Sequence, residues 1–474
     1  MTQETSQPPS SPTRTRWWKR KRVWIPLLVL VALLAGVGPW PTYSESYQQT
    51  PYAEATFRRV EQTSFELATG PLEVGVGSAD ITPKPGRPLA GFGGRSPNNA
   101  GAALDALRVE AISLHVDGRT VTIVGGDILL VLPELRQAVL QRTGLRGRDV
   151  LLTATHTHSG PGGYAPGWIH QFVTGRYDRH ITDRLAEAFA RAIRHSLDTL
   201  QPATVRTRIV TPGDDVAETY CLNRIEHGGR PHGTLALAVF EPVDANDPNA
   251  IASLVVASPH ATCHSSSNMQ PTGDYPGVVK RTLEERLGGR CLFAIGATGS
   301  MRASKNAPKG VARAEDVGQS IVVALDSAGA LDDGDPPRGE TTIGSALIEV
   351  DLPPQQYRVA AGLRLTPQVT ALAHDRKSRV HAVRVGKLVL LGMPADYSGE
   401  LAMALEDEFR GGGLQPVVTS FNGDYIGYLV PHARYALNHY ETRDMNFFGP
   451  WCGEYFNAIA RRLVVKAARS NSPQ

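Results

Sequence analysis

Val150-Leu-Leu-Thr-Ala-Thr-His156-Thr-His158-Ser-Gly-Pro-Gly-Gly163 is the stretch that sets the frame for the whole chain. Its first residues are apolar and read as the end of a buried strand, and its last residues open into a glycine-rich loop. In α/β folds, ligand sites gather in the loops at the carboxyl ends of strands. His156 and His158 are two apart. On a continuing strand that spacing would turn both imidazoles to one face, within reach of a common ligand.

The same architecture recurs three times. Ala252-Ser-Leu-Val-Val-Ala-Ser-Pro-His260-Ala-Thr-Cys-His264 delivers a histidine at the end of an apolar run. Lys387-Leu-Val-Leu-Leu-Gly-Met393 runs into Pro394-Ala-Asp396-Tyr-Ser-Gly-Glu400, and Phe421-Asn-Gly-Asp424-Tyr425-Ile-Gly-Tyr428 forms a fourth loop. Together these loops offer imidazole, carboxylate and phenol groups, a donor set suited to zinc, whose catalytic sites take three protein ligands and a water. Gly273-Asp274-Tyr275-Pro276-Gly277 precedes a helical segment. Asp274 has two readings, as a carboxylate orienting a ligand histidine or as the helix cap.

Outward from these loops, short runs rich in valine and isoleucine predict strands at Leu107–His115, Val121–Gly125, Val150–Ala154, Ala252–Ala257, Leu292–Ile295, Val380–Val385 and Leu388–Leu391. Helix-period segments lie between them at Pro133–Arg142, His180–Leu197, Gly277–Leu287, Ala312–Ser327, Gly399–Phe409 and Gly453–Ala468. The alternation predicts an α/β class with mixed sheets and flanking helices. The DDGDPPRG stretch at 332–339 reads as a loop, and no internal repeat is present.

An apolar fraction of 41% and a charged fraction of 20% are those of a globular protein. The formal net charge of +3 is unevenly spread. Residues 1–22 hold six basic side chains against Glu4, a net of +5, which leaves −2 for everything after them. The main domain therefore gives no electrostatic reason to expect nucleic acid as a partner. Val23 to Trp40 carries no charge and directly follows this basic tail. It is expected to be a transmembrane signal anchor with the N-terminus cytoplasmic and the remainder extracytoplasmic. The long charged region and the lack of an A-x-A site favour retention over signal-peptide cleavage. Residues 41–70 read as a polar stalk, and 71–474 as the catalytic domain. Cys221, Cys263, Cys291 and Cys452 have no CxxC or zinc-knuckle spacing and are expected to be buried thiols, although an oxidising compartment would allow one or two bridges.

Taken in order, VGVGSADITPKPGRPLAGFGGR (74–95), THTHSGPGG, Asn223-Arg224, SPHATCH, GDYPG, PADYSGE, and GDYIGYLVP followed by Tyr440-Glu441 resemble the neutral/alkaline non-lysosomal ceramidases over most of residues 72–460. The resemblance implies an amidohydrolase with one catalytic Zn2+. Carried over by motif, the metal ligands fall on His156, His260, Asp396 and Tyr428, with His158 and Arg224 as substrate-side groups at the scissile amide. A metal-activated water would attack the carbonyl of ceramide or a related N-acyl lipid. Two departures stand out. The family's carboxylate ligand is usually glutamate, and here Asp396 holds the position with Glu400 four residues on. The stretch aligned with the family's GDVSPN-like block reads Gly299-Ser-Met-Arg302-Ala-Ser304, with arginine in place of the serine and Ser300 and Ser304 beside it. No C-terminal β-sandwich is expected within the 474 residues. Two other functions compete: a zinc hydrolase for a sugar or cell-wall amide, and a catalytically inactive binding protein on the same fold.

Overall fold

The computed structural model describes residues 15–93, 95, 100–243, 250–332, 339–360, 362–370 and 377–469. Two sheets pack face to face with helices on both outer faces, giving an α/β/β/α sandwich. The larger sheet has eight strands, ordered across the sheet as Arg290–Ile295, Ala252–Ala257, Leu235–Pro242, Gln201–Val210, Leu72–Asp80, Arg108–Val116, Arg119–Gly126 and Val150–Ala154. Its neighbours are antiparallel except at the two edges, where Ala252–Ala257 pairs parallel with Arg290–Ile295 and Arg119–Gly126 with Val150–Ala154. The sheet coils enough for the Arg290–Ile295 edge to pack against the opposite edge. The smaller sheet is ordered Gln415–Ser420, Leu388–Met393, Lys377–Val385, Thr341–Asp351, Glu66–Gly70, with its one parallel pair between Leu388–Met393 and Gln415–Ser420.

Alternation decides which side chains meet between the sheets. Val74, Ile112, Leu114 and Ile123 from the larger sheet are buried against Ile343, Val383, Val385 and Leu390 from the smaller. On the outer face of the larger sheet, the helix Arg179–Asp198 buries Leu185, Phe189 and Ile193, a four-residue spacing that keeps them on one stripe. This helix lies close to the strand Leu72–Asp80, and the glycines of the VGVG run are the reason it can. A Cβ on Gly75 would sit 1.9 Å from the Ser196 carbonyl oxygen, and one on Gly77 2.0 Å from that of Ala192. The helices Pro51–Gln62 and Cys452–Ala468 cover the smaller sheet with Ala53, Val60, Phe456, Ile459 and Leu463.

The α/β class with mixed sheets and flanking helices is as expected, and each of the seven predicted strands and six predicted helices is present. Residues 41–70 do not form a stalk. Pro51–Gln62 is a helix whose Ala53, Thr56 and Val60 are buried, and Glu66–Gly70 is the edge strand of the smaller sheet. Its low apolar content had suggested a tether, but a three-residue stripe on a short helix is enough to dock it. Thr15–Gly36 is helical, with Pro26 inside. Its foot is fastened to the domain: Thr366 Oγ1 donates to the Gly36 carbonyl at 2.7 Å, and Trp40–Pro41 pairs with Leu363–Arg364. Among the described residues no helix is long and apolar enough to cross a membrane. Most of the DDGDPPRG stretch, and residues 1–14 of the basic tail, lie outside the described residues. All four cysteines are buried free thiols.

Candidate metal centre

Each of the parallel strand pairs ends at one place in the molecule, and the four sequence clusters converge there. The strand Val150–Ala154 stops before the histidines, so strand alternation is not what brings His156 and His158 together. His156 instead adopts φ +58°, as does its stacking partner Phe421 at +65°, and their rings lie 4.4 Å apart at 22°. Left-handed conformations in bulky residues cost energy and cluster at functional sites. Gly91 closes the other side: a Cβ there would lie 2.5 Å from the His158 Cβ.

The result is a triangle of ring nitrogens. His156 Nε2 and His158 Nε2 each lie 3.0 Å from His260 Nε2 and 3.3 Å from one another. All three rings are buried or nearly so, and their Nε2 atoms form a set able to hold a metal ion. Nitrogens bound at about 2.0–2.1 Å to a tetrahedral zinc lie about 3.3 Å apart, close to these separations. The tautomers reinforce the fit. His156 Nδ1 donates to the Leu129 carbonyl at 2.6 Å, which leaves its Nε2 without a proton. His260 Nδ1 meets Thr298 Oγ1 at 3.1 Å. Lone pairs on nitrogens this close repel unless a proton or a cation lies among them. Burial holds His156 down to about 3 and pushes His158 and His260 well below the ordinary histidine range, so all three are neutral, as ligands must be.

Asp396 supplies the carboxylate. Its Oδ2 accepts from the Tyr425 hydroxyl at 2.8 Å, while Oδ1 is buried, lacks a hydrogen-bond partner among the described residues, and lies 3.5 Å from His156 Nε2. An orphaned carboxylate oxygen 3.5 Å from His156 Nε2 and 4.0 Å from His260 Nδ1, beside three clustered imidazoles, is what a cation site looks like with protein atoms alone. Burial pushes Asp396 up to about 7, against the pull of Arg224 and the hydrogen bonds from Tyr425 and Tyr428. The residues present therefore fit a zinc ion.

Glu400 points elsewhere. It accepts from Ser300 Oγ at 2.5 Å, Ser398 Oγ at 2.6 Å and Asn223 Nδ2 at 2.7 Å. Burial alone would raise it, but these hydrogen bonds outweigh burial and hold it below the usual range. Geometry thus assigns the carboxylate facing the histidines to Asp396 and makes Glu400 a support for its loop. Asp396→Asn is expected to weaken metal binding by roughly tenfold to a hundredfold. Glu400→Gln should keep the metal and lose about 1–3 kcal/mol of stability. Metal titration of both variants, with denaturant melts, checks the contrast, and the reverse pattern would place the ligand at Glu400.

Tyr428 sits beside Asp396 on a two-residue parallel bridge. Arg224 is partly buried and held by three groups: Glu441 Oε1 at 2.9 Å, the Gly299 carbonyl at 3.0 Å and the Tyr428 hydroxyl at 3.0 Å. All six residues carried over by motif, His156, His158, Arg224, His260, Asp396 and Tyr428, line one cavity of about 750 Å³. His158 is as close to His260 as His156 is, so geometry groups it with the nitrogen triangle and not apart from it. Asp274 orients neither His156 nor His260. At φ +56° its carboxylate accepts from the Cys263 and His264 amides and from His264 Nδ1 at 3.1 Å, and from Tyr275 N in the first turn of its helix. Sequence reasoning missed the stacking role of Phe421 and the Leu129 and Thr298 supports. The two supports had no signal to find, since a carbonyl or a single hydroxyl carries no pattern.

The fold and the site define a class: a layered α/β protein with a cluster of three histidines able to hold a metal ion, and a buried carboxylate beside it, at converging strand ends. Within that class the resemblance is to the neutral ceramidases. Residues 72–214 match the family described as neutral/alkaline non-lysosomal ceramidase, N-terminal. The neutral ceramidase of Pseudomonas aeruginosa is 21% identical over 512 aligned positions, covering 85% of this chain and 73% of its own length. The crystal structure of neutral ceramidase from Pseudomonas aeruginosa superposes with a TM-score of 0.68 at 19% identity, over 85% of this chain and 76% of that one. A structure of ceramidase complexed with C2 gives 0.66 at 18% identity, over 84% and 75%.

Proposed function

We propose that this chain is a zinc-dependent amidohydrolase that cleaves the N-acyl amide of ceramide or a related lipid. The observation that carries the proposal is the unpartnered Asp396 Oδ1 beside three neutral, converging imidazoles. The family match and the P. aeruginosa relative support the amide as the bond broken. Zinc held by His156, His158 and His260, with Asp396 and Tyr428 alongside, would supply a Lewis acid that polarises a carbonyl and lowers the pKa of a water.

The protein's own groups do the rest. Arg224, fixed by Glu441, Gly299 and Tyr428, keeps a guanidinium at the cavity base, where it opposes negative charge developing on the amide oxygen. Because these partners hold it in advance, little reorganisation is needed in the transition state. Phe92, Leu129, Val173 and Phe447 give the cavity an apolar side that suits an acyl chain and excludes water. From Trp24 onward the apolar side chains of the helix Thr15–Gly36 are exposed, with Trp24, Leu28 and Leu30 more than half accessible, which supports a membrane location through this helix; the basic residues before it support an extracytoplasmic catalytic domain.

The test is metal content and ceramide hydrolysis of the full chain in non-ionic detergent. About one zinc per chain and release of fatty acid are expected. Zinc without ceramide turnover would redirect the search to other amides, and no stoichiometric metal would overturn the hydrolase.

A further inference from the structure

The cavity is electrostatically lopsided. Besides its apolar residues, the cavity is lined by His264, Arg302, Lys305, Lys309 and Arg313, the last four from one stretch of chain. Among the described lining residues the one carboxylate is Asp396, at the base with the histidines. None of the four Arg and Lys side chains is ion-paired among the described residues. Arg313 Nε is spent on the Ala307 carbonyl at 2.9 Å, and Arg302 Nε is buried with no hydrogen-bond partner. The nearest acids in sequence do not help: Glu315 pairs with Arg281 at 2.7 Å, and Asp316 is not part of the lining. The charges are close enough to be felt, since Arg302, then desolvation, then Arg313 and Lys309 push the Lys305 ammonium below its ordinary range.

A second observation points the same way. His264 is 5% exposed, and Asp274 holds its Nδ1 at 3.1 Å. Its remaining nitrogen, Nε2, is buried without a partner in a residue that lines the cavity. With Nδ1 held by Asp274, Nε2 is the ring atom left for a guest in the cavity. Uncompensated like charges on a cavity wall cost stability, and a fixed anionic guest removes the cost.

We infer that this wall is an anion subsite and that the substrate's head group, on the far side of the amide from the acyl chain, carries a phosphate, sulfate or carboxylate. The inference rests on the proposed reading that this cavity takes an N-acyl lipid. It distinguishes the substrate from plain ceramide, whose head is uncharged. Arg302, in the place where the aligned family block has serine, is the specificity-determining residue.

The test measures binding, so it stands apart from catalysis. Dodecyl phosphate is titrated into the full chain in neutral non-ionic micelles at low salt, with dodecyl maltoside as the uncharged comparison. Wild type is expected to favour the phosphate by about tenfold or more, the scale of one or two charge-assisted hydrogen bonds, with the preference falling as salt rises. Arg302→Ser and Lys305→Gln should each lose most of that preference at an equal or higher melting temperature of the free protein, and Arg302→Lys should recover part. Excess inorganic phosphate competing as well as dodecyl phosphate would overturn the substrate assignment in favour of a free anion. Equal affinity for both amphiphiles in wild type would overturn the subsite itself. So would an effect of the variants confined to anionic vesicles, which would make the wall a membrane contact. If zinc or ceramide turnover fails while the phosphate preference holds, the fault lies with the proposed reaction and not with the subsite.

Discussion

Replacing His260 by alanine should remove the bound metal and lower amide hydrolysis by on the order of a thousandfold, the scale of losing a principal electrostatic stabiliser of the transition state. His260 is the sharper choice because its Nε2 is the shared vertex, 3.0 Å from each of the other two. His156→Ala would also disturb a residue at φ +58° and the stack on Phe421, mixing ligand loss with backbone change. The same variant gives a readout independent of activity. A ligand that binds only the folded state stabilises it by about 4 kcal/mol at a thousand times its dissociation constant. Chelator should therefore lower the melting temperature of the wild-type protein and leave that of His260→Ala unmoved. Equal chelator sensitivity in both would place the metal elsewhere, and chelator insensitivity in both would remove the metal from the account.

How much of this was legible beforehand varies with the kind of interaction. Strands such as Val150–Ala154 and Ala252–Ala257 were legible to the residue, because apolar runs buried on both faces leave a continuous signal. Strands such as Gln201–Val210 and Thr341–Asp351 were not anticipated: polar residues interrupt them, and their place in the sheets comes from neighbours distant in sequence. The site's residues were found by motif, but the reason they meet was not. His156 and His158 converge through a left-handed turn after the strand, a conformation no histidine spacing announces. The choice between Asp396 and Glu400 was likewise open from sequence. Three hydrogen bonds from separate segments, Asn223, Ser300 and Ser398, decide it.

The largest stability effect should come from outside the cavity, at Lys280. Its ammonium lies on the helix Asp274–Leu287 and reaches Asp127 Oδ1 and Oδ2 at 2.8 and 2.7 Å and Glu110 at 3.3 Å. All three side chains are at most 2% exposed. Burial lowers Lys280, but Asp127 and Glu110 outweigh it, and burial pushes Glu110 up to about 7 despite its cation. Lys280→Met keeps the volume and removes the charge, leaving two buried carboxylates with only Arg108 beside Glu110 at 2.9 Å. Breaking a buried pair this way costs about 3–5 kcal/mol. The pH dependence has a definite sign. A carboxyl raised in the folded state binds more protons there than when unfolded, so its contribution is complete below the unfolded value near 4.5 and is lost as pH rises through about 7. Lys280→Met should steepen that loss, and Lys280→Met combined with Glu110→Gln should recover part of it; denaturant melts at pH 5 and pH 8 measure both. The effect should also reach the metal. Asp127 lies two residues before Leu129, whose carbonyl fixes His156, and Lys280 shares its helix with Asp274, which fixes His264. Weaker metal binding in Lys280→Met, restored with stability in the double variant, would show that the ion cluster holds both walls of the cavity in place. A stability loss with unchanged metal affinity would confine the cluster to the core.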